Sequence, residues 1–275
     1  MPMLPPVQLP HNQKMPVLGF GTYPLKDAAC RDAVRNALQV GYRHVDTADI
    51  YGNHLPVGEG LRESGVPRSE IFLTTKVWRD HLKHADVLAS AKRLLKELQF
   101  EYIDLLLIHW PNKEVPLAET LKALGQLVSD GLIRNYGVSN FTIKRLTEAL
   151  ACAPSPIAVN QVEYHPHLNQ EELRQFCQEK KVVVCSYSPL AKGDVASDEL
   201  LIKIGAAHKK TPAQVTLRWH LQKGLVPLPK ATARERIQSN FDIWDFELSP
   251  AEMREIDARK IWKRGINWDV AEFEK

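Results

Sequence analysis

The sequence predicts an α/β protein whose eight parallel strands form a (β/α)8 (TIM) barrel. Short β-rich runs alternate from end to end with longer runs of helical periodicity. Several short runs, such as 105–108 and 182–184, are continuously apolar, which is typical of parallel strands buried on both faces. No Ser/Gly-rich linker divides the chain, so we predict one domain over residues 1–275. An open doubly wound sheet has the same alternation and is the alternative.

Eight runs are candidates for the strands of this barrel. They are Pro16–Tyr23, Tyr42–Ala48, Ile71–Val77, Ile103–Trp110, Tyr136–Asn140, Ala158–Tyr164, Val182–Ser188 and Leu225–Lys230. Residues 7–9 and 14–17 precede them and flank a short turn, which predicts a small β-hairpin that plugs the N-terminal end of the barrel.

Helical segments fill most of the gaps between the strands. The apolar residues of 87–98 and of 117–128 recur on one face of a helix. Thr211 and Ser249 each precede a proline and stand three residues before Gln214 and Glu252, which predicts two capping boxes. Beyond the last helix, an aromatic tail with Trp268 and Phe273 either covers a site or packs on the barrel.

The composition excludes several classes of protein. Of 275 residues, 36 are Lys or Arg and 33 are Asp or Glu, and the basic residues are spread along the chain, so no nucleic-acid partner is indicated. No apolar run approaches the roughly 20 residues of a membrane helix, and the N-terminus lacks the pattern of a signal peptide. The four cysteines are scattered, which predicts neither a zinc site nor a disulfide framework. We expect a cytoplasmic monomer that acts on a small molecule.

Polar side chains interrupt the apolar runs where successive strands end. Asp46 lies at the end of the second strand and Tyr51 follows it, while Lys76 and His109 lie at the ends of the third and fourth strands. Each has an ordinary structural explanation when it is taken singly, such as a turn residue or a lysine that reaches water. In a closed barrel, however, all four meet at the C-terminal face, where barrels carry their chemistry.

This set of side chains is suited to protonating an oxygen. A Lys and an Asp that are withdrawn from water must pair. We expect the nearby cation to lower the pKa of the Tyr51 phenol, which would make it a general acid, while a neutral His109 orients a carbonyl oxygen. None of these groups is an obvious attacking nucleophile, so the pattern favours a cofactor that supplies hydride.

The common nucleotide-binding motifs are missing from the sequence. Gly19-Phe20-Gly21 is too short for a dinucleotide fingerprint, and no P-loop occurs. The segment 228–240 is a candidate anion site, because Lys230, Arg234 and Arg236 stand at a strand end and the start of a helix. The alternative is a solvated basic turn.

A series of motifs in this order resembles the aldo-keto reductase family over roughly residues 7 to 260. The motifs are Gly41–Asn53, Thr74–Trp78, Asp104–Pro111, Gly137–Phe141, Asn160–Pro166 and Ser186–Leu190. The compact length and short loops are most similar to bacterial 2,5-diketo-D-gluconate and methylglyoxal reductases. The resemblance implies an NADPH-dependent reductase on a (β/α)8 barrel, with a small carbonyl compound as its substrate.

By matching position, the resemblance also implies residue roles. Tyr51 would donate the proton, Asp46 and Lys76 would tune it, and His109 would orient the carbonyl. The cofactor would contact Gly21, Thr22, Asp46, Ser139, Asn140, Gln161, Tyr187, Ser188, Leu190, Lys192, Lys230, Thr232, Arg236, Ser239 and Asn240. Tyr23, Trp78, His109 and Trp110 would line the substrate pocket. No metal is implied.

The chain departs from the family pattern at two places. The run from His54 to Pro56 replaces acidic residues that usually precede Val57-Gly58, which would loosen the hold on the adenine end of the cofactor or alter the helix start. Ala231 stands where the family usually has Ser or Thr, so one hydrogen bond to the 2′-phosphate is lost. Lys230 and Arg236 still favour NADPH, and use of NADH as well is the alternative.

Three other functions remain as alternatives. His165-Pro166-His167 could be part of a zinc hydrolase site, although no third ligand is placed. A nucleotide-binding regulatory module could keep this fold with little turnover. An aldolase could use Lys76 as a Schiff base. The sequence does not distinguish among small α-oxoaldehydes, keto-sugars and aromatic aldehydes as substrates.

Overall fold

The computed structural model describes residues 4–266 and contains all eight predicted strands in one parallel sheet. The strands run, in chain order and spatial order, as β3 (Phe20–Gly21), β4 (His44–Asp46), β5 (Phe72–Val77), β6 (Ile103–Ile108), β7 (Ile133–Ser139), β8 (Val159–Glu163), β9 (Val183–Tyr187) and β10 (Val226–Pro227). Each strand pairs with the next one along the chain, as expected for a (β/α)8 barrel.

The two outer strands of this sheet meet, so the barrel closes. The Gly19 amide donates to the Pro227 carbonyl and the Gly21 amide donates to the Pro229 carbonyl, each at 3.0 Å. A Cβ on Gly21 would lie 3.0 Å from the Leu228 carbonyl oxygen, so the missing side chain allows this close approach. The open doubly wound alternative is therefore wrong.

Ten helices connect the strands or follow them in the described part of the chain. They are α1 (Asp27–Val40), α2 (His54–Glu63), α3 (His84–Leu98), α4 (Leu117–Ser129), α5 (Ile143–Cys152), α6 (Glu171–Glu179), α7 (Glu199–His208), α8 (Pro212–Gln222), α9 (Arg234–Phe241) and α10 (Pro250–Asp257). Both predicted capping boxes are present, at Thr211 with Gln214 and at Ser249 with Glu252. No helix within residues 4–266 has the length and apolar character needed to span a membrane.

The apolar core has an outer and an inner part. The outer part lies between strands and helices, where α3 buries Val87, Ala91 and Leu94 as its periodicity predicts. The inner part fills the barrel with side chains that include Leu105 and Leu107. Alternate side chains of β6 therefore point to opposite faces of the sheet, and both faces are buried.

The predicted N-terminal hairpin closes the end of the barrel at which the strands begin. It consists of β1 (Val7–Gln8) and β2 (Lys14–Met15), which pair antiparallel. Leu9 and Met15 are buried within the inner core cluster, beside side chains from the strands. The opposite end, where the strands terminate, is consequently the open one.

Candidate active site

A cavity of about 780 Å³ lies at the C-terminal ends of the strands. Of the predicted site residues, Lys76 and Ser139 lie beneath its wall and the others line it. The lining includes Gly21, Thr22, Tyr23, Asp46, Tyr51, Trp78, His109, Trp110, Asn140, Gln161, Tyr187, Ser188, Leu190, Lys192, Lys230, Thr232, Arg236, Ser239 and Asn240. The barrel thus brings together residues from all eight strands and the segments that follow them.

A buried ion pair lies under one end of the cavity. The Lys76 Nζ donates to Asp46 Oδ1 at 2.5 Å and to the Thr47 carbonyl at 2.9 Å. Gln161 Nε2 donates to the second carboxylate oxygen of Asp46 at 2.7 Å. The ammonium is 1% exposed and does not reach the cavity, so it is not placed as the nucleophile of a Schiff-base aldolase.

Tyr51 lies above this pair on a single 3₁₀ turn, Asp49–Tyr51, that follows β4. The Lys76 ammonium is 5.3 Å from the centroid of the Tyr51 ring. The ring also contacts Tyr23 and His109, with centroid separations of 5.0 and 5.7 Å. Gly52 ends the turn with a φ of 57°, a conformation that glycine adopts without a Cβ clash.

The predicted sign of the Tyr51 pKa shift is wrong. Burial raises the pKa of the phenol well above its ordinary value, and the negative charge of Asp46 raises it further. The Lys76 cation does not reverse this effect, because its charge is paired with Asp46 at 2.5 Å. Tyr51 therefore holds its proton at neutral pH.

His109 is neutral and faces the same end of the cavity. Burial lowers its pKa well below the ordinary value, and the positive charge of Lys76 acts in the same direction. The imidazole lies edge-on to Trp78 at a centroid separation of 5.3 Å. Within the described residues its buried Nδ1 has no hydrogen-bond partner. The ring is thus able to hydrogen-bond an oxygen without carrying charge.

A second set of polar groups forms the floor beside the ion pair. Ser139 Oγ donates to the Gln161 carbonyl at 2.8 Å. Asn140 has a positive φ of 62°, and its Nδ2 donates to the His109 carbonyl at 3.0 Å. Tyr187 Oη donates to Asn140 Oδ1 at 2.9 Å. These bonds fix the amide side chain of Asn140 and the aromatic ring of Tyr187, on either side of β8.

The far end of the cavity is basic. Lys230, Thr232 and Arg236 are exposed and line it, while Ala231 between them is 6% exposed and also lines it. Arg234 does not line this cavity, although the sequence placed it in the anion segment. Its Nη1 donates to the side-chain oxygens of Asn36 and Gln39 on α1 at 3.4 and 3.3 Å.

The altered run after Asn53 belongs to a helix start and not to the basic end of the cavity. His54 is 2% exposed, and its Nε2 contacts Thr75 Oγ1 at 2.7 Å. The residues from His54 to Pro56 do not line the cavity. The run therefore lies at the start of α2 and away from the cavity lining.

The two histidines of the HxH motif contact carboxylates. His165 Nε2 lies 3.0 Å from Glu163 Oε1, and His167 Nε2 lies 2.6 Å from Asp198 Oδ2. The part of the chain that the structure describes contains no group of three or more His, Cys, Asp or Glu side chains that could hold a metal. The motif therefore links the end of β8 to the start of α7.

Glu163 is a site residue to which the sequence assigned no role. Its buried carboxylate accepts from the amides of Gly265 and Ile266 at 2.8 and 3.1 Å. Ile266 lines the cavity, and the Gly265 carbonyl accepts from Lys192 Nζ at 2.7 Å. The start of the tail therefore reaches the site, whereas Trp268 and Phe273 lie outside the described residues.

Thr211 and Ala213 at the start of α8 also line the cavity. The sequence marked Thr211 only as a helix cap. Its place in the cavity lining depends on how α8 packs, and no local pattern in the sequence records this.

Comparisons with known proteins show the family of this chain. A model of the aldo/keto reductase family matches residues 17–261. A 9,11-endoperoxide prostaglandin H2 reductase of Trypanosoma cruzi is 46% identical, over 91% of this chain and 90% of that protein. A glyoxal reductase of Bacillus subtilis is 44% identical, over 92% of this chain and 91% of that protein.

Solved structures are similar along the whole chain. A putative 2,5-diketo-D-gluconic acid reductase B has a TM-score of 0.93 at 40% identity, covering 97% of this chain and 96% of that one. An aldo-keto reductase of Bombyx mori in complex with NADP has a TM-score of 0.91 at 31% identity, covering 100% of this chain and 98% of that one.

Proposed function

Because the chain belongs to the aldo/keto reductase family of NAD(P)-dependent oxidoreductases, we propose that it reduces small aldehydes or ketones to alcohols with NADPH. One observation carries the proposal. Tyr51, His109 and Asp46, which pairs with the buried Lys76, line the same cavity as the cations Lys230 and Arg236.

The residues present fit a phosphorylated nicotinamide nucleotide. The cavity volume of about 780 Å³ falls within the usual range for cofactor sites. Lys230 and Arg236 supply positive charge for a phosphate group, with the start of α9 beside them. NADPH supplies a hydride when it is bound. A similar reductase has been solved with NADP.

Tyr51 and His109 are proposed to protonate and to orient the carbonyl oxygen of the substrate. The Tyr51 hydroxyl keeps its proton at neutral pH and donates it to that oxygen as negative charge develops there. The neutral His109 donates a hydrogen bond to the same oxygen and so fixes its position. The Asp46–Lys76 pair supports Tyr51 from below, at 5.3 Å from ammonium to ring centroid.

The other predicted contacts follow the length of the cavity. Asn140 and Gln161 are proposed to bind the carboxamide, together with Ser139 directly beneath the cavity wall, and Tyr187 to stack on the nicotinamide. Gly21 and Thr22 would line that end, and Asp46 is also proposed to touch the ribose. Ser188, Leu190 and Lys192 would follow the pyrophosphate. Lys230, Thr232 and Arg236 would bind the 2′-phosphate, and Ser239 and Asn240 the adenine.

The substrate end favours small carbonyl compounds. Tyr23, Trp78 and Trp110 wall it with apolar ring surface, and Ile266 contributes from the tail. Two relatives are named as reductases of glyoxal and of methylglyoxal, which directs the proposal towards α-oxoaldehydes. The single-domain, monomeric and cytoplasmic assignments stay predictions.

The decisive experiment is the loss of reduced-nicotinamide absorbance with NADPH and NADH in parallel. The panel contains methylglyoxal, 2,5-diketo-gluconate, an aromatic aldehyde and an aldose. We expect turnover with NADPH, highest for methylglyoxal. Tight NADPH binding without turnover on any carbonyl would overturn the proposal in favour of a regulatory nucleotide-binding module.

A further inference from the structure

The turn that carries Tyr51 lies outside the regular sheet. It follows β4 as Asp49–Tyr51, and its internal backbone bonds are those of one 3₁₀ turn, from the Tyr51 amide to Ala48 and from the Gly52 amide to Asp49. So short a turn does not by itself fix a side chain, because one or two hydrogen bonds compete with the conformational freedom of each residue. The position of the phenol therefore depends on what holds the turn from outside.

Two cationic side chains bond to the two ends of this turn. At its first residue, Arg93 Nη2 of α3 lies 2.8 Å from both carboxylate oxygens of Asp49. At its last residue, the Lys26 ammonium donates to the Tyr51 carbonyl. The turn is thus attached to α3 on one side and to the residue before α1 on the other.

The Asp49 carboxylate depends on this arginine. Its side chain is 10% exposed, whereas that of Arg93 is 43% exposed. The His81 Nδ1 is 3.7 Å from the same carboxylate, which is beyond hydrogen-bond distance. Loss of Arg93 would leave a nearly buried carboxylate poorly compensated, and the turn would move to bring it to water.

Arg93 is itself held in place and is linked through other side chains to β5. Its Nη1 donates to Glu97 Oε1 at 2.9 Å, one helical turn further along α3. The other oxygen of Glu97 lies 3.5 Å from His54 Nδ1, and His54 Nε2 contacts Thr75, the neighbour of Lys76, at 2.7 Å. This chain of contacts couples the turn to β5, where the ion pair partner of Asp46 is located.

We propose that Arg93 and Lys26 are positioning residues for Tyr51, holding its hydroxyl over the carbonyl oxygen of the substrate. The inference rests on the proposed function. Both residues act through the turn and neither lines the cavity. A displacement of about 1 Å at a reacting group can reduce the rate on the order of 100-fold, so even a modest shift of the turn becomes measurable.

The test compares Arg93→Met with Arg35→Met. Arg35 is a matched control because it is also a partly exposed helical arginine with two acidic partners, Asp32 and Glu63, and it has no contact with the Tyr51 turn. For each purified variant, kcat, KM for methylglyoxal, the NADPH Kd by fluorescence and the solvent deuterium isotope effect on kcat are measured. Arg93→Lys and Lys26→Met complete the set.

We expect kcat to fall about 10- to 100-fold in Arg93→Met, with the NADPH Kd within about twofold of the wild type. The solvent isotope effect should rise, because proton transfer from a misplaced Tyr51 becomes rate-limiting. Arg93→Lys should recover part of kcat, Lys26→Met should show a smaller loss of the same kind, and Arg35→Met should match the wild type.

A kcat within twofold of the wild type in folded Arg93→Met would overturn the inference. So would a loss of kcat shared equally with Arg35→Met, or one without a change in the isotope effect. If Arg93→Met does not fold, the same measurements on Lys26→Met and Arg93→Lys decide the question. If the wild-type protein reduces no carbonyl compound, the proposed function itself is contradicted. If the wild-type protein is active and the Arg93 and Lys26 variants are equally active, only the positioning role is contradicted.

Discussion

The ammonium of Lys76 lies 2.5 Å from the carboxylate of Asp46, and both side chains are almost completely buried. Burial lowers the pKa of the Lys76 ammonium, and the Asp46 carboxylate acts against that shift. Because each charge compensates the other, neither can be removed alone without leaving an isolated charge in the interior of the barrel.

This pairing leads to a prediction about stability. Lys76→Met or Asp46→Asn alone should each lower the free energy of unfolding, for Lys76→Met by about 3 to 5 kcal/mol, since the remaining group loses its partner. The double variant should lose less than the sum of the two. Urea denaturation of all four proteins measures the coupling. Additive losses would show that the two charges do not depend on each other.

Removal of the Tyr51 hydroxyl should separate catalysis from binding. We expect Tyr51→Phe to lower kcat about 10²- to 10⁴-fold, the usual contribution of a general acid. The NADPH Kd should stay within about twofold, because the ring is kept. Steady-state kinetics and a fluorescence titration provide the two values. Near-normal turnover in this variant would remove Tyr51 from the proposed mechanism.

Two neighbouring arginines provide a matched test of the basic end. Arg236 lines the cavity, whereas Arg234 bonds to Asn36 and Gln39. Arg236→Gln should raise KM for NADPH about 10- to 100-fold, equivalent to a charge-assisted hydrogen bond, with little effect on NADH. Arg234→Gln should leave both values unchanged. Equal effects of the two variants would place the 2′-phosphate elsewhere.

The alanine beside Lys230 should set the preference between the two cofactors. Ala231→Ser places a hydroxyl at a position that lines the cavity. We expect the ratio of kcat/KM for NADPH to that for NADH to rise roughly 3- to 10-fold, in keeping with one added hydrogen bond. The Arg236→Gln variant should instead lower this ratio. An unchanged ratio would mean that position 231 does not face the phosphate.

Stability should fall between pH 6.5 and pH 4. Burial lowers the pKa of His44 to about 3 and those of His54 and His220 to about 4. The unfolded chain therefore binds more protons than the folded one in this range, so protonation favours unfolding. Each histidine should cost about 2 kcal/mol between pH 7.5 and pH 5.

Urea denaturation at the two pH values measures this loss. His54→Gln should reduce the difference in the free energy of unfolding between the two pH values by the contribution of one histidine. His11 is exposed, and His11→Gln is the control that should leave this difference unchanged. A free energy of unfolding that stays level from pH 7.5 to pH 5 would contradict the prediction.

Much of the fold and the site could be predicted because both depend on local patterns. Apolar runs mark all eight strands, and polar residues at their ends mark Asp46, Lys76 and His109. The sign of the Tyr51 pKa shift could not be predicted, since it depends on burial and on how fully Asp46 compensates Lys76. The bonds from Glu163 to the tail join residues far apart in the chain, and no spacing records them.

The seam between β3 and β10 joins two strands that are far apart in the chain. The Gly19 amide bonds to the Pro227 carbonyl, so during synthesis β3 leaves the ribosome long before its partner strand β10 has been made. Contacts so distant in sequence form late in folding, because a long loop must close first. The cavity crosses this seam and has Gly21 on one side and Lys230 on the other. A nascent chain that ends before Lys230 therefore lacks one side of the cavity.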